Sequence, residues 1–263
     1  MIRALYSAAS GMTAQQTNVD NISHNLANAN TTGFKARRAQ FQDLLYQNLV
    51  QPGASATQQT AVPTGLQVGL GARAASNEIV FSQGSFTQTS NPYDLVVQGR
   101  GFFQVRTPSG ELAYTRDGAF HLDRDGNLVT LDGNAVEPSV TIPKEAQAVS
   151  IGADGTITYT LAGQTQSQQA GQILLADFQN ASGLESMGRN LYKPTSASGD
   201  PVVGTPGGQE GIGSLLQGYL EGSNVSVVEE FINLIVSQRA YEANSKVVKA
   251  ADEMYQQVNN LTR

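Results

Sequence analysis

Asp20, Ser23 and His24 lie within about one helical turn of one another and have the composition of a hydrolytic triad. No strained nucleophile turn or oxyanion loop accompanies them. All three fall on the polar flank of an amphipathic stretch, which reads as surface or intersubunit hydrogen bonding. His121, Asp123 and Asp125 would share one strand face and could hold a divalent cation weakly. The run from Asp123 to Asn127 looks like a calcium loop, but its glycine is fourth and not sixth, and position twelve is Asn134 where a glutamate is needed. Asp117, Asp123 and Asp125 could supply the paired acids of a glycosidase, yet there is no Trp to line a sugar cleft, and Asp-Gly turns account for acids in such places. Lys35, Arg37 and Arg38 form a small basic cluster that reads as interchain pairing and not as a nucleic-acid patch. The glycine-rich run Thr64 to Gly71 lacks the lysine and the following helix of a phosphate cradle. The reading is therefore of a protein with no catalytic group, no metal and no cofactor.

Composition narrows the classes further. The chain has 263 residues, no Cys and only two His, so disulfides, thiolate zinc sites, thiol catalysis and three-His sites are excluded. Its 25 Gln and 17 Asn outnumber the 38 charged side chains, so the polar surface is mostly neutral. A net charge of −6 argues against nucleic acid as partner. No apolar run approaches the roughly 18 residues of a membrane span, and the short, Ser-punctuated start does not make a secretory signal. Direct membrane insertion is not expected.

Two stretches at the ends would have to position anything this protein does. Over residues 2 to 29, Ile2, Leu5, Ala9, Met12, Val19, Ile22, Leu26 and Ala29 recur at alternating spacings of three and four, with Gln16 in the one polar slot. That is a narrow coiled-coil seam, with amides and hydroxyls on the opposite face. The last 39 residues repeat it through Val225, Val228, Ile232, Val236, Ala240, Ala243, Val247, Ala250, Met254, Val258 and Leu261. A second stripe runs through Phe231, Leu234, Tyr241, Val248 and Tyr255. Asn224 and Ser226 offer N-caps, and Glu229 and Glu230 suit the first turn. One reading is an antiparallel pair clasping a single domain. The other is that a two-faced helix and a one-faced partner cannot bury both stripes within one chain, so copies pack laterally into a polymer. Seams rich in alanine would be loose in the monomer and order on assembly.

Between the ends the pattern changes. Phe34 to Tyr46 has helical apolar spacing at Phe41, Leu44 and Leu45, and Gln51, Pro52 and Gly53 then open a linker or extended arm. The arm passes Pro63 and ends in an alternating segment at Leu66, Val68 and Leu70 that suits an exposed strand or hairpin. From Phe86 to about Leu191 short apolar runs are cut by Asp-Gly turns at 117, 125, 132 and 154, whose glycines would supply the positive φ of tight hairpins. The expected fold class is α+β: long terminal helices forming a discontinuous coiled-coil domain (1–30 and 225–263), a linker and arm (31–85 and 199–224), and a mainly antiparallel β domain (86–198). Charge divides likewise, at +3 for residues 1–40, −8 for 41–224 and −1 for 225–263, so the ends can pack across copies without strong self-repulsion.

The motifs Ser10-Gly11-Met12, Asn21 to Lys35, Leu220 to Ile232 and Ser237 to Lys246 closely resemble the bacterial flagellar rod and hook axial proteins. Gln98 to Phe103 and Tyr114 to Phe120 share the likeness, which spans essentially the whole chain and is weakest at 47–62 and 199–211. Within that family, the length and the single modest β domain resemble the distal-rod members best, and a proximal-rod member of similar length is the alternative. The resemblance implies a helical homopolymer, a hollow tube lined by the terminal helices with the β domain outside. It implies a periplasmic drive shaft through the P-ring and L-ring bushing, with hook protein above, proximal rod proteins below, and unfolded passage through the flagellar type III export apparatus without a cleaved signal peptide. Leu5, Met12, Val19, Ile22, Leu26, Val228, Ile232, Val236, Val247 and Met254 are the expected inner packing and subunit-interface residues. Gln51, Pro52, Gly53, Pro63, Leu66, Val68 and Leu70 belong to the arm expected to stiffen the tube.

Overall fold

Apolar and small residues at helical spacing, uninterrupted by proline, carry the first helix, α1, over Ile2–Ala27 in a computed structural model that describes residues 2–51, 64–163, 166–208 and 211–261. It stops where Asn28 to Gly33 turn the chain, with the Thr31 N–H on the Asn28 carbonyl at 3.1 Å. The second helix, α2, spans Val227–Leu261, about 52 Å at 1.5 Å per residue. Ser226 caps it: its carbonyl accepts the Glu230 N–H at 3.0 Å and its hydroxyl lies 3.5 Å from the Glu229 N–H. Glu229 and Glu230 stand in the first turn, where the helix dipole favours acids. Asn224, the other expected cap, is used elsewhere: its side chain accepts the Ala36 N–H at 2.7 Å and donates to the Val80 carbonyl at 2.8 Å.

The chain divides into two compact units. The helical unit holds Met1–Ala27, Arg37–Ile79 and Ser226–Arg263; the β unit holds Asn28–Ala36 and Val80–Val225. In the helical unit four strands join the helices: β1 (Arg37–Asp43), β2 (Tyr46–Val50), β3 (Leu66–Gly69) and β4 (Ala72–Ile79). β1 pairs antiparallel with β4 from Arg37↔Ile79 to Asp43↔Ala72, and β2 pairs with β3 from Tyr46↔Gly69 to Val50↔Leu66. The alternating segment at Leu66 to Gly69 is thus a hairpin strand. The helical spacing read at Phe34 to Tyr46 was misleading. A register shift between Gln40 and Phe41 breaks the two-residue alternation of β1 and leaves apolar residues at intervals that imitate a helix.

The β unit is built from antiparallel pairs. Its largest sheet runs in the order Glu185–Gly188, Leu191–Lys193, Leu112–Thr115, Phe102–Arg106, Ala135–Glu137, Leu128–Thr130 and Phe120–Leu122, with Leu175–Asp177 and Val202–Gly204 continuing from the start of Phe102–Arg106. Ala146–Ile151, Thr156–Leu161 and Gln168–Gln172 make a three-stranded sheet. Leu95, Phe103, Phe120, Ile157, Ile173 and Leu175 are fully buried in one apolar core. Gly126, Gly133 and Gly155 do take positive φ in their hairpin turns. Gly118 does not, and is a glycine for another reason: a Cβ there would collide with the Leu95 carbonyl oxygen. Among the described residues no helix is long and apolar enough to cross a membrane.

One ion cluster lies deep in the β unit. Lys35 Nζ sits 2.6 Å from Glu221 Oε1 and donates to the Ser82 carbonyl at 2.8 Å, while the Gly84 N–H donates to the same carboxylate oxygen at 3.0 Å. Arg116 Nε is 3.8 Å from Glu221 Oε2, and its guanidinium lies 5.6 Å from the Phe102 ring centroid. All three charged residues are buried. Burial pulls the Lys35 pKa below the usual lysine value, against the opposing pull of Glu221. Lys35 therefore belongs to an intrachain cluster, which corrects its reading as part of an interchain basic patch.

Candidate functional site

The two helices face each other through small and polar side chains. Ala8, Ala14, Asn21, Ile22 and Asn25 are the buried positions of α1, and Ser237 and Ala251 those of α2. Asn18 Nδ2 donates to Ser237 Oγ at 2.8 Å, and Asn25 Nδ2 donates to Glu230 Oε1 at 2.9 Å. The Asn25 amide also clamps the start of β1, donating to the Arg37 carbonyl and accepting the Arg37 N–H, both at 2.8 Å. Asn21 accepts from Asn77 Nδ2 at 2.8 Å, and Ser10 Oγ accepts the Ala72 N–H at 3.3 Å, so the same face of α1 receives β4. The amide face assigned to solvent by its polarity is thus partly buried, because each buried amide finds a partner there.

The apolar residues expected to pack lie elsewhere. Ile22 is buried, and Leu5, Met12, Val19 and Leu26 are half-buried along one side of α1. On α2 the expected stripe faces outward: Val228 is 70% exposed, Ile232 55%, Val236 61%, and Val247 and Met254 46% each. Phe231, Ile235 and Tyr241 widen that surface, all of them exposed. A run of large aliphatic side chains along most of a 35-residue helix is far more apolar surface than a self-contained fold leaves in water. The hairpin β2–β3 is likewise exposed: Tyr46, Leu49, Val50, Leu66 and Leu70 all face solvent, Val68 is half-buried and Gln51 is exposed. Pro52, Gly53 and Pro63 lie outside the described residues.

The acids weighed for chemistry serve turns. Asp123 Oδ1 accepts the N–H groups of Asp125 and Asn127, each at 2.8 Å, which holds its pKa below the usual carboxylate range. Asp117 accepts the Ala119 N–H at 3.1 Å, and burial pushes its pKa up. Asp154 binds the hydroxyl of Thr156 at 2.7 Å and its N–H at 3.1 Å, with a lowered pKa. Asp20, Ser23 and His24 all lie on the exposed side of α1. Among the described residues, no three His, Asp or Glu side chains gather as a metal site. The site that stands out is a surface: the outward stripe of α2 with the arm hairpin.

Sequence comparison fits that picture. Residues 5–35 match the family model described as flagella basal body rod protein, 96–159 the flagellar hook protein FlgE/F/G D1 domain, and 216–261 the flagellar basal body rod FlgEFG protein C-terminal region. Over 261 residues the chain is 48% identical to the flagellar basal-body rod protein FlgG of Buchnera aphidicola subsp. Schizaphis graminum, covering 99% of this chain and 100% of that one. It is 49% identical to the FlgG of Caulobacter vibrioides over 99% of both chains, and 40% identical to that of Bacillus subtilis over the full length of both. The chain belongs to the flagellar basal-body rod protein family and is a structural component of the basal-body rod. Rod components assemble with other rod and hook components of the flagellum.

Proposed function

We propose that this chain polymerises helically into the distal rod, a hollow periplasmic shaft that transmits torque to the hook and serves as an export channel. The observation that carries the reading is the exposed stripe Val228, Ile232, Val236, Val247 and Met254, an apolar surface that a neighbouring copy would cover. Leu5, Met12, Val19, Ile22 and Leu26 would complete the inner packing from α1, and the exposed hairpin β2–β3, with the arm residues beyond it, would bind adjacent copies and stiffen the tube. Hook protein above, proximal rod proteins below and the P-ring and L-ring bushing would be its neighbours. The chain would reach them unfolded through the type III export apparatus. The mechanism is mechanical: many repeated interfaces share the load, with no reacting group. Electron microscopy of the purified chain, concentrated and seeded with rod fragments, tests this. Straight hollow tubes are expected, with helix content by circular dichroism rising on assembly; a monodisperse, fully helical monomer that never polymerises would refute it. Deleting residues 50–65 is expected to alter tube bending or length while leaving the β unit folded, and an unchanged straight rod would remove the stiffening role.

A further inference from the structure

The contacts between α1 and α2 obey one rule. Asn18 meets Ser237 and Asn25 meets Glu230. One heptad further along, Gly11 meets Asn244, with a Cβ built at Gly11 falling 2.8 Å from Asn244 Nδ2 and 3.4 Å from its Cγ. Each rung lies seven residues from the next on both helices, in opposite directions. A single antiparallel register therefore satisfies all three.

Neighbouring registers fail for identifiable reasons. A slip of one heptad either way sets Asn18 or Ala4 against Asn244, and only a residue without a Cβ fits there. The slip that brings Asn25 to Ser237 leaves Glu230 without its amide partner beyond the end of α1. Polar groups at coiled-coil core positions select register and partner at a cost in stability, because misaligned partners leave polar groups buried and unpaired. Apolar seams discriminate poorly by comparison, and the large apolar residues of α2 face outward.

We propose that the three rungs are specificity determinants that bind α1 to the α2 of its own chain, in one register, and keep it off the α2 of a second copy. The apolar stripe is then left free for neighbours. The inference rests on the polymer reading, since a choice between own and foreign helices arises only where copies crowd together.

The protein has no Cys, so the third rung can serve as a reporter through Gly11→Cys with Asn244→Cys, whose separation suits a disulfide. Tagged and untagged full-length chains carrying this pair are mixed, oxidised at dilute concentration and again after seeding, and intrachain and interchain products are counted on non-reducing gels. With the other rungs intact the intrachain product is expected to dominate. Adding Asn18→Leu and Ser237→Leu should lower the intrachain share roughly threefold and raise tagged–untagged dimers. Exchanging the rung, Asn18→Ser with Ser237→Asn, should restore it. Equal intrachain shares in the intact and leucine proteins, high or low, overturn the proposal, as does failure of the exchanged rung to restore the share. Tube formation is scored separately by microscopy, so absence of tubes from the intact protein refutes the polymer reading while the dilute crosslinking ratio still judges the rungs.

Discussion

The β unit and the helical unit put their apolar residues to opposite uses. The β unit encloses Leu95, Phe103, Ile157 and Ile173 completely, closes hairpins with Asp-Gly turns, and even buries its Lys35–Glu221 pair. The helical unit buries alanine, serine and asparagine and turns valine, isoleucine and methionine to solvent. The first is a fold that stands by itself. The second is an arrangement whose largest hydrophobic gain is still to come, and that gain requires another molecule.

The contrast can be broken most completely at Val236. Val236→Asp is expected to abolish tube formation by placing a charge in the stripe, while the thermal unfolding of the β unit measured by circular dichroism stays as in the parent; normal tubes would remove the stripe from the interface. The converse variants strike the β unit. Glu221→Gln leaves Lys35 and Arg116 buried without their carboxylate, and urea unfolding should show a loss of about 3–5 kcal/mol. Phe103→Ala opens a cavity in the enclosed core and should cost about 3–4 kcal/mol in the same assay. A loss under about 1 kcal/mol from either would contradict the enclosed core. The smallest effect lies in acid. Asp123 and Asp154 have folded pKa values below those of the unfolded chain, so their contribution is present above the ordinary aspartate value and lost as pH falls through the lowered folded values. Asp123→Asn should flatten this acid limb of stability, and an unchanged profile would show that its turn contacts do not titrate with folding.

How much of this was legible in the residues divides along the same line. The helices and the apolar strands could be read because their periods extend over many residues or are bounded by Asp-Gly. The outward face of α2 could not be read, since an apolar stripe looks the same whether its partner is the same chain or another. Asn18, Asn21 and Asn25 were read as solvent-facing because amides usually are, and only the spatial approach of Ser237, Asn77 and Glu230 reveals their partners. The bulge beside Phe41 disguised a strand. Strands of three to five mixed residues, such as Val202–Gly204 and Gln168–Gln172, carry too little pattern to register. Lys35 and Glu221 are 186 residues apart, a separation across which local pattern says nothing.

That separation has a consequence for the order of events when the chain emerges from any narrow passage with Met1 leading. The carboxylate that neutralises Lys35 arrives only with residue 221, and the helix that pairs with α1 arrives later still. Contacts of such high sequence separation close late, because the intervening loop entropy must be overcome before any reward is collected. Most of the molecule can thus be outside before either unit can lock. This topology delays knotting the two ends together, so the chain stays threadable until nearly its whole length is through.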